Sequence, residues 1–134
     1  MKFVFLPHTA DVKFQAYGKT LEEVYENSAL ALINRICNKK IKAIKKVKFK
    51  VKGKDTEALM YNFLEEFLYL IDAKHFLSSK IKVKIKDKKE LEAEVWGDNL
   101  KNYASGMHIK AVTYNEMYVK QVEGKWVAQV VLDI

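Results

Sequence analysis

Lys46-Val47-Lys48-Phe49-Lys50-Val51-Lys52, followed at once by Gly53-Lys54-Asp55, is the stretch that decides the fold class. Four lysines alternate with three apolar residues, so a period of two sends one set to solvent and the other to a core. That is a strand with one buried face. Asp55 is then a good helix N-cap. After it, Leu59, Met60, Phe63, Leu64, Phe67, Leu68 and Ile71 recur at helical spacing, with Glu65, Glu66 and Asp72 outside the stripe.

Toward the C-terminus, Ile81, Val83 and Ile85 alternate with lysines, and Leu91, Ala93 and Val95 alternate with glutamates. Asp87-Lys88-Lys89 between them suits a hairpin turn. A polar loop near 98–108 leads to two further strands, 109–122 and 126–133, joined around Glu123-Gly124. The last of these is apolar on both faces through Trp126, Val127, Ala128, Val130, Val131 and Leu132, which predicts a central strand.

Toward the N-terminus, residues 2–6 read as a short strand and Asp11–Tyr17 as another, ended by Gly18. Thr20 and Glu23 form a capping-box pair ahead of a helix over 20–37, whose apolar positions include Val24, Tyr25, Leu32 and Ile36. Strands and helices mix without a regular βαβ alternation. The class is α+β: a single domain over 1–134, with two main helices packed on mostly antiparallel β-sheet.

The 134 residues are 49% hydrophobic and 31% charged, a composition that folds. No stretch is long and apolar enough to span a membrane, and Cys37 is alone, so no internal disulfide can form. These features lead us to expect a cytoplasmic protein with no membrane partner.

The net charge of +7 comes almost wholly from lysine, because Arg35 is the only arginine. Lysine is a mobile point charge, whereas bidentate reading of guanine is arginine chemistry. Lys39–Lys54 holds nine lysines and no acid. A second row, Lys80, Lys82, Lys84 and Lys86, has Glu92 and Glu94 to pair with across the hairpin. The first row has no evident partner in its own neighbourhood. Lys46, Lys48, Lys50 and Lys52 read either as a solvated strand that deters edge-to-edge aggregation, or as an electrostatic footprint for RNA or an acidic protein. The one aromatic among them, Phe49, points inward by parity.

Neither a G-x-S-x-G elbow, a glycine-rich phosphate loop, H-E-x-x-H nor C-x-x-C occurs, so nothing in the residues points to catalysis. His8, His75 and His108 are too scattered to suggest zinc. Carboxylate chemistry remains at two places. One is Pro7-His8-Thr9-Ala10-Asp11-Val12; the other is the chain end, where the Asp133 side chain adjoins the α-carboxylate of Ile134. Hard oxygen donors of this kind suit calcium or magnesium. Spacing alone favours Asp11 as a loop cap and Asp133 as a solvent-facing end residue, since aspartate is mostly exposed and isolated.

His8-Thr9-Ala10-Asp11-Val12, followed by Ala16-Tyr17-Gly18-Lys19-Thr20-Leu21-Glu22-Glu23, resembles the opening of the archease family. Leu64-Glu65-Glu66-Phe67-Leu68-Tyr69-Leu70, Ile109-Lys110-Ala111-Val112-Thr113-Tyr114 and the closing Leu132-Asp133-Ile134 agree in order and spacing. The resemblance implies a non-catalytic accessory factor of an RtcB-type tRNA-splicing RNA ligase, promoting ligase guanylylation and multiple turnover. It implies a divalent metal site on Asp11, Asp133 and Ile134, for calcium first, with magnesium or manganese as alternatives. His8 and Lys110 match the family pattern as partner or RNA contacts. Asn115 and Lys101-Asn102 depart from it, since relatives carry histidine after the Thr-Tyr pair and a basic residue followed by histidine in the preceding loop. Two other functions stand beside this one: a module that binds tRNA or RNA through the lysine-rich strand, and a general chaperone or modulator of RNA-modifying enzymes.

Overall fold

Residues 1–103 and 107–134 are described by the computed structural model. In chain order they form strands β1 (Phe3–Leu6) and β2 (Val12–Gly18), helix α1 (Leu21–Ile36), β3 (Lys45–Lys52) and α2 (Thr56–Lys74). Then come β4 (Phe76–Lys86), β5 (Glu90–Asn99), a 3-10 turn at Leu100–Asn102, β6 (Ala111–Val122) and β7 (Lys125–Asp133).

Local chemistry sets the element ends. Thr20 Oγ1 accepts from the Glu23 amide at 3.1 Å. Glu23 Oε1 reaches back to the Lys19 amide, one residue before the cap, also at 3.1 Å. Asp55 Oδ1 caps α2 by accepting from the Ala58 amide at 2.8 Å, and His75 closes that helix in the left-handed conformation. The β6–β7 tip is a two-residue turn, Glu123-Gly124, and the β4–β5 tip a three-residue one, Asp87-Lys88-Lys89; Asp87, Lys88, Glu123 and Gly124 all have positive φ, the twist that matches paired strands.

Two antiparallel sheets result, β1-β2-β7-β6 and β3-β5-β4. Strand β7 is central, as its two-sided apolar sequence predicts. Helix α1 contacts β2 and β4, while α2 contacts β6, β3 and β4, so the helix pair joins both sheets in one core. Tyr25, Phe14, Phe63 and Phe67 are its largest fully buried side chains. Phe49 packs on Phe63 and Phe67 with centroid distances of 6.1 and 5.7 Å, inward as its parity requires.

Helix side chains also blunt the sheet edges. Glu26 Oε2 accepts from the Val83 amide at 3.0 Å on edge strand β4, and burial holds this carboxyl above its usual range. Asn62 donates to the Lys52 carbonyl at 2.7 Å on edge strand β3.

Two expectations change. Strands β4 and β5 extend past their alternating cores, to Phe76 and to Asn99, because a bulge between Ser78 and Lys80 breaks the period of two without ending the pairing. The proposed polar loop therefore begins after Asn99; its positions 104–106 lie outside the described residues. The first lysine row is also not without partners. Strand β5 lies between β3 and β4, so Glu90, Glu92 and Glu94 stand opposite both rows. The ion pairs formed are with β3: Lys46–Glu94 at 2.7 Å, Lys50–Glu92 at 3.3 Å and Lys52–Glu90 at 3.6 Å. Hairpin proximity suggested the opposite assignment; strand order decides it.

Candidate functional site

Antiparallel pairing of β2 with β7 brings the two ends of the chain together. Val12 stands opposite Leu132, and on the far side of β7 Val112 also stands opposite Leu132. Asp11 immediately precedes Val12 and Asp133 immediately follows Leu132, so both carboxylates and Ile134 belong to one end of the same sheet. Strand parity sends Val12 and Leu132, both buried, to the core. It sends Asp133, with Lys13 and Val131, to the outer face. Asp133 and Ile134 are half-buried. The Asp133 carbonyl is already engaged by the Lys110 amide at 2.8 Å, which leaves the Asp133 side chain and the Ile134 carboxylate as its end's oxygen donors. The Lys110 side chain is exposed.

His8 is not satisfied by local backbone. Its Nε2 lies 3.0 Å from Glu116 Oε2, and Lys13 Nζ donates to Glu116 Oε1 at 3.1 Å. Its Nδ1 is buried without a hydrogen-bond partner, 3.8 Å from Asp11 Oδ2. The Lys13 ammonium first, and His8 second, hold the Glu116 carboxyl below the usual glutamate range. Glu116 reaches this position from a wide bulge in β6, where the register jumps between Thr113 and Tyr118, and its own φ is +55°. Gln129 secures the bulge by donating to the Glu116 carbonyl at 2.9 Å.

Among the described residues, no lysine or arginine nitrogen lies within 4.0 Å of the Asp11 or Asp133 carboxylate. No group of three or more His, Cys, Asp or Glu side chains gathers there either. The set is two side-chain carboxylates and the oxygens of Ile134. It fits a hard cation in kind, being all oxygen, but is short of the six to eight ligands calcium takes. Water or a partner would complete it, and the orphaned His8 Nδ1 offers a hydrogen-bonding position on the Asp11 side.

The Archease protein family model matches residues 3–134. The chain belongs to that family. Curated archeases of Methanosarcina barkeri and Pyrococcus furiosus are each 39% identical to it, covering 99% and 95% of this chain and 96% and 94% of their own. A protein of Methanobacterium thermoautotrophicum solved in solution superposes with a TM-score of 0.85 at 33% identity over 99% of both chains. A crystal structure from Thermotoga maritima, described as an archease and "possible chaperone", gives 0.71 at 20% identity over 96% of this chain and 94% of that one, a likeness of fold.

Within this archease fold the positions expected to depart from the family pattern make local contacts, and the Asn102 side chain donates to the Asp98 carboxylate at 3.3 Å. The Asn115 amide donates to Thr113 Oγ1 at 3.3 Å in the β6 bulge. The Lys101 amide donates to Asn99 Oδ1 at 2.9 Å. Sequence reasoning missed Glu116, whose ties to His8 and Lys13 cross more than 100 positions. It also missed Asp98, a buried carboxylate that accepts from the Asn99 amide at 2.7 Å and the Tyr103 hydroxyl at 2.9 Å. The first offered no signal in the chain; the second stood in a stretch read as loop.

Proposed function

We propose that this archease is a non-catalytic activator of an RtcB-type tRNA-splicing RNA ligase, acting through a divalent cation, calcium by preference, at the Asp11–Asp133 end. The observation that carries the reading is the β2–β7 pairing, which makes one sheet end of the two chain extremities. Asp11, Asp133 and the Ile134 carboxylate are the cation's protein ligands. His8 stands beside Asp11, its Nδ1 3.8 Å from Oδ2, and Glu116 holds His8 while occupying Lys13, which would otherwise compete for the aspartates. When bound, the cation supplies positive charge against a nucleotide triphosphate or a departing pyrophosphate at the ligase's active-site mouth. An incomplete, outward-facing ligand set suits this role, because the partner's phosphate oxygens can complete it. The protein supplies no acid or base of its own.

Multiple-turnover ligation tests it. Asp11→Ala and Asp133→Ala proteins that remain folded should fail to stimulate turnover of the ligase; undiminished stimulation defeats the reading. A general chaperone for RNA-modifying enzymes is the second reading, favoured by the description of the Thermotoga relative. It requires protection of several unrelated enzymes, whereas the ligase activator acts on one.

A further inference from the structure

The outer face of the β3-β5-β4 sheet lies apart from the joined chain ends, and its residues are laid out in rows. Lys46, Lys48, Lys50 and Lys52 of β3 form one row; Lys80, Lys82, Lys84 and Lys86 of β4 form the other. Between them run Glu90, Glu92, Glu94 and Trp96 of β5. Lysines two residues apart in a strand repeat about every 7 Å, and rows on either side of one strand lie about 10 Å apart.

The charge on this face does not balance. Eight lysines meet three glutamates, and each glutamate is taken by a β3 lysine. Among the described residues, Lys48, Lys80, Lys82, Lys84 and Lys86 make no ion pair. Protection of an edge accounts for lysine on β3 and β4, but it accounts neither for the surplus along the full length of β4 nor for Trp96. This half-buried indole, directly opposite Lys46 and Lys80, has both ammonium groups over its ring, at 5.2 and 5.0 Å from the centroid. Lysine rows with an aromatic platform are the components of single-strand binding, where phosphates track the charge and a base stacks on the ring. An acidic protein would use the lysines but has no need of the platform.

We propose that this face binds single-stranded nucleic acid without sequence preference, phosphates lying along Lys48, Lys82, Lys84 and Lys86 and one base stacking on Trp96 as the Lys46 and Lys80 ammonium groups leave its ring for phosphate. Sequence independence follows because the only arginine, Arg35, lies over Phe5 of β1 at 5.3 Å and not among these rows. The inference stands apart from the cation reading: either can fail alone.

Fluorescence anisotropy of a labelled, unstructured 20-nucleotide RNA with the full chain tests it across 50–300 mM salt. Four or five phosphate contacts predict a log–log slope of about −3 for a single strand. Lys48→Gln/Lys82→Gln/Lys84→Gln should reduce that slope by about 2 and weaken binding at least roughly tenfold at 50 mM. Lys19→Gln/Lys120→Gln/Lys125→Gln removes equal charge elsewhere and should leave the slope unchanged. Trp96→Ala should weaken binding roughly tenfold with little change in slope. In a Trp126→Phe background, Trp96 emission should be quenched by the RNA, a readout that needs no folded Trp96 variant. A single-stranded DNA of the same length should bind comparably, since the phosphates and the π-face are shared. No binding at 50 mM, equal loss of slope in the control triple, or an unquenched Trp96 would overturn the proposal. A polyglutamate of matched charge displacing the RNA at equal concentration would transfer the face to an acidic protein.

Discussion

His8 Nε2 lies 3.0 Å from Glu116 Oε2, although 108 positions separate the two residues. The contact closes a loop of function: the imidazole's other nitrogen faces Asp11, and the carboxylate's other oxygen holds Lys13. Glu116 thus fixes the side chains on either side of Asp11, the proposed cation ligand, without being placed among the ligands. Its removal should act locally. Glu116→Ala is expected to leave the urea midpoint close to that of the parent, since the pairs it makes are surface ones. It should shift the amide resonances of residues 8–13 in a 15N correlation spectrum. Unmoved resonances there would show that His8 and Lys13 do not depend on it.

Asp98 gives a prediction about acid. Its hydrogen bond from the Asn99 amide is the largest influence on the carboxyl; burial opposes it, bonds from Tyr103 and Asn102 reinforce it, and the net effect is a carboxyl below the ordinary aspartate value of 3.8. A carboxylate depressed in the folded state stabilises the fold above its ordinary value and loses that contribution as pH falls through the lower, folded one. Asp98→Asn should therefore destabilise the protein at pH 7, and the gap from the parent should narrow from below about pH 4 downward. Urea denaturation at pH 7, 4 and 2.5 reads the convergence.

Gly97 is needed for close approach rather than for an unusual φ. A Cβ built there would meet the Leu77 carbonyl oxygen at 2.1 Å, and backbone cannot yield as a flexible side chain can. Gly97→Ala should force β4 and β5 apart at the Ser78–Lys80 bulge and cost about 1–3 kcal/mol, in the range of overpacking changes. Thermal unfolding of the variant measures it. An unchanged midpoint would mean that the bulge absorbs a methyl group freely.

The fold was readable wherever a period ran uninterrupted. Lys46–Lys52 fixed its strand and its buried face, and the Thr20 and Asp55 caps fixed two helix starts, because each depends on neighbours in the chain. Strand order was not readable in the same way: only the tertiary pairing of β3 with β5 gives Glu90, Glu92 and Glu94 to the first lysine row. Bulges hid the rest. The one in β4 masked that strand's true length, and the one in β6 carries Glu116 on a left-handed backbone that glutamate seldom adopts, so no local signal announces it. Trp96 was within reach, since the parity of Glu92 and Glu94 already turns it outward. Of the proposed cation ligands, residue type and family resemblance suggested the positions, and antiparallel pairing places Asp11 and Asp133 at one sheet end.

Calcium titration of the protein by isothermal calorimetry tests the central claim, with Asp11→Asn and Asp133→Asn as paired variants. The parent should bind one ion, and each variant should bind it at least roughly tenfold more weakly, because each removes one of few charged ligands. Both variants should keep the parent's far-UV circular dichroism. A parent that takes up no calcium at millimolar concentration, or an Asp133→Asn protein that binds as tightly as the parent, would contradict the account.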